Sequence, residues 1–225
     1  MRNTSSRVDY SKFTWSKRNT KEFRHLKLLL YWPLFGLLFM YAEHCYPVSE
    51  YHLMYCAFDD RIPFLEVFVI PYVFWFAFII GMLLYTLLYD VEAFRKMMWF
   101  FIITYTTTII IYFLFPTYQD LRPTTFERSN LLTQFVTSIY GFDTNTNVCP
   151  SMHVIGSLAV MFTALHCKEL QKKRWKISFV VIATLICLST VFLKQHSIID
   201  VIAALPISLI AYYLCFYKND DGKQL

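Results

Sequence analysis

Apolar residues in this chain gather into long unbroken stretches separated by short polar punctuation. No Asp, Glu, Lys or Arg occurs from Val67 to Tyr89 or from Met97 to Gln119, and each run is 23 residues long. A helix of about 20 residues crosses about 30 Å of hydrocarbon. Ile177–Leu193 and Val201–Tyr217 add runs of 17 residues. Leu28–Ala42 gives another, with Lys27 and Glu43 able to snorkel at its ends. A sixth and less apolar stretch runs from about Ser151 to Cys167. Between the third and fourth stretches, Leu131, Leu132, Phe135, Val136 and Ile139 recur at helical spacing. The pattern predicts an all-α fold: a polytopic membrane helix bundle with six transmembrane helices and a short outer amphipathic helix.

Composition narrows the class further. Charged residues make up 16% of the chain, against about 25% in soluble domains. An aromatic content of 19% excludes a disordered chain, and five Gly with eight Pro exclude a collagen-like or linker-rich one. Six Cys without a CxxC give no support to a metal cluster or redox site. An outer disulfide stays open beside free packed thiols.

Charge sets the expected orientation. Of 21 Lys and Arg, 17 fall in the N-terminal tail, the second and fourth connections and the C-terminal tail. The opposite side holds four: Arg61, Arg122, Arg128 and Lys194. Both termini are therefore expected in the cytoplasm. The boundaries read as a basic tail over 1–25, a six-helix membrane domain over 26–217 and a C-terminal tail over 218–225. The first tail is too long and polar for a cleavable signal. Its cations interleave with Tyr10, Phe13 and Trp15, which suits a solvated topogenic tail or docking on an anionic leaflet. Nucleic acid is not an expected partner.

Three segments with chemical character surface on the cation-poor side. Arg122 lies in Leu-Arg-Pro after the third span. His153 lies in Pro-Ser-Met-His at the start of the fourth. Lys194, His196 and Asp200 lie at the junction of the fifth and sixth. Pro150 and Ser151 begin a helix whose free N–H groups, including that of Met152, favour phosphate oxygens. Arg122 offers a planar fork that pairs bidentately with phosphate. His196 and Asp200, four apart, would share a helical face, so the carboxylate fixes the imidazole tautomer. One His can then attack phosphorus while the other protonates the leaving oxygen. Singly, each is equally a packed His or a snorkelling Arg, and two His with an Asp also form a zinc-ligand set. Their convergence on one face favours a phosphate site. His25, His44, His52 and His166 lack such company.

The segments Leu121–Pro123, Pro150–His153 and Ser189–Asp200 resemble the three signatures of the type 2 phosphatidic acid phosphatase superfamily, in order and spacing. That resemblance implies metal-independent, cofactor-free phosphotransfer through a phosphohistidine, with His196 as nucleophile, Asp200 orienting it and His153 as general acid. Arg122, Ser151 and the backbone at Met152 would hold the phosphate. Three positions depart from the family: Phe115 stands in place of a Lys, Met152 of a Gly and Thr190 of an Arg. Lys194 could replace one missing cation. These departures resemble the branch that includes inositol phosphorylceramide and sphingomyelin synthases and similar bacterial proteins. The implied function is a lipid phosphate phosphatase facing outward from a bacterial cell membrane; a lipid headgroup phosphotransferase is the alternative. The lipid and the oligomeric state are open.

Overall fold

The computed structural model describes residues 8–217. The cations Arg2, Arg7, Lys218 and Lys223, and with the last two the whole predicted C-terminal tail, lie outside the described residues. Among those described, seven α-helices form: α1 (Tyr31–His44), α2 (Val69–Tyr89), α3 (Val91–Leu114), α4 (Leu131–Phe142), α5 (Met152–His166), α6 (Lys173–Phe192) and α7 (Ile198–Tyr212). The chain is an all-α polytopic bundle with little sheet. A parallel pairing of β1 (His52–Leu53) with β2 (Thr117–Tyr118) ties two loops together.

Five of the six expected spans, extended by their flanking turns, are long and apolar enough to cross a membrane: Arg24–His44, Glu66–Tyr89, Val91–Leu114, Lys173–Phe192 and Ile198–Tyr217. Their outward faces are apolar, with Leu37 72% and Ile70 60% exposed. That is the arrangement a hydrocarbon surrounding requires. Polar side chains lie inside, and several are short hydroxyls bonded back along their own helix. Thr104 donates to the Phe100 carbonyl (2.8 Å) and Thr163 to that of Ala159 (2.7 Å). Such bonds let a hydroxyl sit in an apolar interior without an orphaned polar atom.

The sixth expected span, α5, has only 15 residues, and it lacks the adjoining turns that lengthen α1 and α7 into spans of 21 and 20 residues. It packs against α2, α3, α6 and α7, and Ile155, Gly156, Ser157, Ala159 and Val160 are buried. A helix shielded on all sides needs no lipid-facing surface, which explains its small and hydroxyl residues. At Gly156 there is no room for a side chain. A Cβ there would meet Ile79 Cδ1 and the Tyr105 hydroxyl at 2.8 Å and Trp75 Nε1 at 2.9 Å. Gly156→Ala is therefore expected to cost about 1–3 kcal/mol by overpacking. A lower thermal midpoint in detergent would show it, with a fall in activity because Trp75 must shift.

The predicted amphipathic helix is α4. It begins at Asn130, whose side chain accepts from the Leu132 and Thr133 amides. Val136 is buried and packs with Val69, Tyr72 and Leu193, so α4 lies across the ends of α2 and α6. At the opposite end of the bundle the N-terminal segment is better held than a solvated tail. Phe23 is fully buried, and the Tyr10 hydroxyl reaches both His25 Nε2 (2.8 Å) and the Leu87 carbonyl (2.7 Å). None of the six cysteines forms a disulfide.

Candidate active site

The link from α6 to α7 folds as a tight turn. Lys194 adopts φ 53°, and the Thr190 carbonyl accepts both the Gln195 amide (2.9 Å) and the His196 amide (3.1 Å). Ser197 then caps α7, and Asp200 completes a capping box by accepting from the Ser197 amide (3.0 Å). The same Asp200 oxygen accepts from His196 Nδ1 at 3.1 Å. His196 thus precedes the helix rather than lying on it. The expected pairing exists, but a Ser-x-x-Asp cap produces it instead of a shared helical face. The carboxylate at Nδ1 favours the tautomer that carries its proton there, which turns the lone pair of Nε2 away from Asp200. His196 is 8% and Asp200 0% exposed.

A second carboxylate holds this turn from a distance. Asp59, 1% exposed, accepts from the Ser197 hydroxyl (2.6 Å), the Ile198 amide (2.9 Å) and the Cys56 amide (2.8 Å). Two of these donors head α7, where a helix leaves N–H groups without partners and favours negative charge. Lys194 Nζ donates to the Asp59 carbonyl at 2.6 Å. Lys194 therefore braces the loop. It does not line the cavity described below.

His153 sits on the first turn of α5. Its ring lies between those of Tyr72 (centroids 4.5 Å apart) and Trp75 (4.4 Å), and 5.9 Å from the ring of His196. Aromatic stacking therefore fixes its position. Ser151 is the N-cap of α5, and its own amide donates to the Asp200 carbonyl (3.1 Å), which docks the start of α5 on α7. The amides of Met152 and His153 head the helix, in the positions left without intrahelical partners. Burial, with the charge of Asp200 beside it, pushes the nearby Cys149 thiol up to about 12, so it is no thiolate competitor at neutral pH.

Arg122 is committed within the protein. Nη1 donates to the carbonyls of Tyr140 (3.1 Å) and Asp143 (2.9 Å). Nη2 donates to the Thr144 carbonyl (2.8 Å) and to Gln195 Oε1 (2.5 Å). Its Nε is buried without a partner. The guanidinium only donates, so it can bond only the oxygen of the Gln195 amide, leaving Gln195 Nε2 as a buried donor without a partner. Gln195 went unnoticed in the sequence although it stands beside His196.

These groups surround a cavity of about 370 Å³ lined by His153, His196, Met152 and Gln195 at one side. Phe35 and Phe39 of α1 and Val73 and Phe76 of α2 give it an apolar wall, and Glu43, Asp143 and Asn147 also face it. The family's missing cations leave ordinary packing behind. Phe115 stacks on His52 with centroids 4.0 Å apart, and Thr190 is buried with its hydroxyl on the Cys187 carbonyl. His25 and His166 are bonded in other parts of the bundle. Among the described residues no three His, Cys, Asp or Glu side chains are placed to hold a metal ion.

The family model described as the PAP2 superfamily matches residues 96–222, more than half of the chain and the whole of the three segments above. No curated protein and no solved structure matches the chain.

Proposed function

The chain belongs to the PAP2 superfamily of phosphate-ester phosphatases and phosphotransferases, and on that premise we propose that it hydrolyses a lipid phosphate through a phosphohistidine on His196. One observation carries this reading: His196 lines the cavity with Nδ1 bound to Asp200 and with His153 5.9 Å away. Nε2 attacks phosphorus, and the P–O bond to the lipid breaks as His153 protonates the departing oxygen. Water then attacks the phosphohistidine and gives its proton to His153. The P–N electron pair returns to Nε2.

Gln195 Nε2 and the first amides of α5, at Met152 and His153, are the donors nearest the reacting phosphate. Ser151 fixes that helix end. Arg122 acts by holding Gln195 and by its charge, and Lys194 by charge from outside the cavity. The apolar wall from α1 and α2 suits an acyl chain. The crowding of cations at the opposite end supports an outward-facing site.

The test is release of inorganic phosphate from purified protein given a panel of lipid phosphates. Absence of release from every member would overturn the reading. His153→Ala refines it. On alkyl phosphates the rate is expected to fall by about 10²–10⁴-fold, the worth of a positioned general acid. On an aryl phosphate, whose leaving group needs little protonation, the loss should be small. Equal losses on both would remove His153 from the acid role.

A further inference from the structure

Two buried acceptor atoms, on residues that line the cavity, have no protein partner, and the chemistry above uses neither residue. Glu43, near the end of α1, is fixed through Oε2, which accepts from the Thr144 hydroxyl (2.5 Å) and the Thr146 hydroxyl (3.2 Å). Its Oε1 is buried and unpaired. Asn147, 5% exposed, donates through Nδ2 to the Ala42 carbonyl (3.5 Å), which leaves Oδ1 buried and unpaired. A buried acceptor left unmatched costs about 1–3 kcal/mol, and more when it is charged. Asn147 is tied to Ala42, the residue before Glu43, so the two free acceptors belong to one built surface.

The residues lining the cavity therefore carry both kinds of unmatched group: a donor at Gln195 Nε2, with the first amides of α5 nearby, and acceptors where Glu43 and Asn147 end the wall. The remaining carboxylate on the wall, Asp143, is already bonded to the Tyr72 hydroxyl (2.8 Å). Among the described residues no Lys or Arg side chain lines the cavity, so the Glu43 charge meets no counter-ion there. Phosphate would be repelled at this end, whereas a hydroxyl or ammonium would complete both acceptors.

We propose that Glu43 and Asn147 form an acceptor subsite for a hydroxyl or ammonium group carried on the substrate head beside the phosphate. This rests on the lipid-phosphate reading above and narrows it: the favoured substrate bears a free hydrogen-bond donor next to its phosphoester. Glu43 is here a specificity residue, while the phosphoryl steps stay with His196 and His153. Arg122 supports the subsite indirectly, because its bonds to the Asp143 and Thr144 carbonyls hold the segment that carries Thr144, Thr146 and Asn147.

The test uses substrate pairs that differ only in the donor. One pair is a 1-acylglycerol 3-phosphate and its 2-O-methyl ether; the other is a sphingoid base phosphate and its N-trimethyl derivative, which keeps the charge and loses every N–H. The donor-bearing member is expected to show kcat/KM higher by about tenfold or more, the worth of one hydrogen bond to a charged acceptor. Preference in the first pair alone identifies a hydroxyl as the recognised group, and in the second alone an ammonium. Glu43→Gln keeps the bonds from Thr144 and Thr146 on its amide oxygen and turns an NH₂ toward the cavity, so the preference should fall below about threefold. Equal rates within both wild-type pairs, or a preference that survives Glu43→Gln, would overturn the subsite. Binding of unphosphorylated 1-acylglycerol and its methyl ether, followed by tryptophan fluorescence from Trp75 on the cavity wall, reads the same subsite without turnover. An unphosphorylated sphingoid base and its N-trimethyl derivative form the second binding pair. About tenfold weaker binding of the blocked member in either pair supports the subsite even where no lipid phosphate is cleaved; equal binding within both pairs overturns it.

Discussion

His196→Ala is expected to reduce turnover by roughly 10⁴-fold or more, the scale seen when a covalent nucleophile is removed. Other candidates near the phosphate cannot take over. His153 is fixed between Tyr72 and Trp75, and the Cys149 thiol is held protonated at neutral pH. Asp200 already serves His196 and the Ser197 amide with one oxygen. The loss should be in kcat, since His196 forms its bond only as the reaction proceeds. Rapid quenching of wild-type protein in base, while it turns over a labelled substrate, should trap a phosphoprotein that is stable in base and lost on acidification, and His196→Ala should give none. A His196→Ala variant with near-normal turnover would remove the phosphohistidine from the mechanism.

Asp59→Ala should be the most damaging substitution outside the cavity. It leaves the buried Ser197 hydroxyl and the half-buried Ile198 and Cys56 amides without acceptors. Each orphaned group costs about 1–3 kcal/mol, so a loss of about 3 kcal/mol or more is expected in sum. Thermal unfolding in detergent would measure it. Activity should fall too, because the start of α7 carries Asp200 and aligns His196. Asp59→Asn separates the two effects. It fills the same space but supplies one acceptor oxygen where the carboxylate supplies two, so kcat should fall more steeply than the thermal midpoint. A stability change below about 1 kcal/mol in Asp59→Ala would show that the loop relaxes freely.

Much of this architecture was legible because a membrane simplifies the code. Unbroken apolar runs located α1, α2, α3, α6 and α7, since lipid-facing positions must be apolar over the whole crossing. The short α5 was harder to read as a span. Surrounded by other helices, it draws on Ser157 and Thr163, whose hydroxyls bond back to His153 and Ala159. The three signature segments were visible because their chemistry is local, and the bundle brings His153 and His196 together. Asp59 was invisible: its bond to Ser197 spans 138 positions, and nothing in Asp-Asp-Arg announces a distant helix cap. Arg122 was legible as a residue near the site but not by its partners. Its donors go to carbonyls of a loop whose path only the folded chain defines. Glu43 was read as a snorkelling end of a span, whereas two threonine hydroxyls hold it over the cavity.

The brevity of α5 has a consequence for the surrounding lipid. Fifteen residues extend about 22 Å, against a hydrocarbon thickness of about 30 Å. Its far end is anchored where Cys167 meets the buried Asp90 at the α2–α3 turn. The helices around α5, not α5 itself, meet the lipid, so a short central helix sets His153 back from the end of a longer outer wall. On the proposed reading, a lipid phosphate has to descend inside that wall to meet it. Turnover is then expected to change with the acyl-chain length of the host bilayer, whichever lipid is the substrate; equal rates in thin and thick bilayers would show that this depth plays no part.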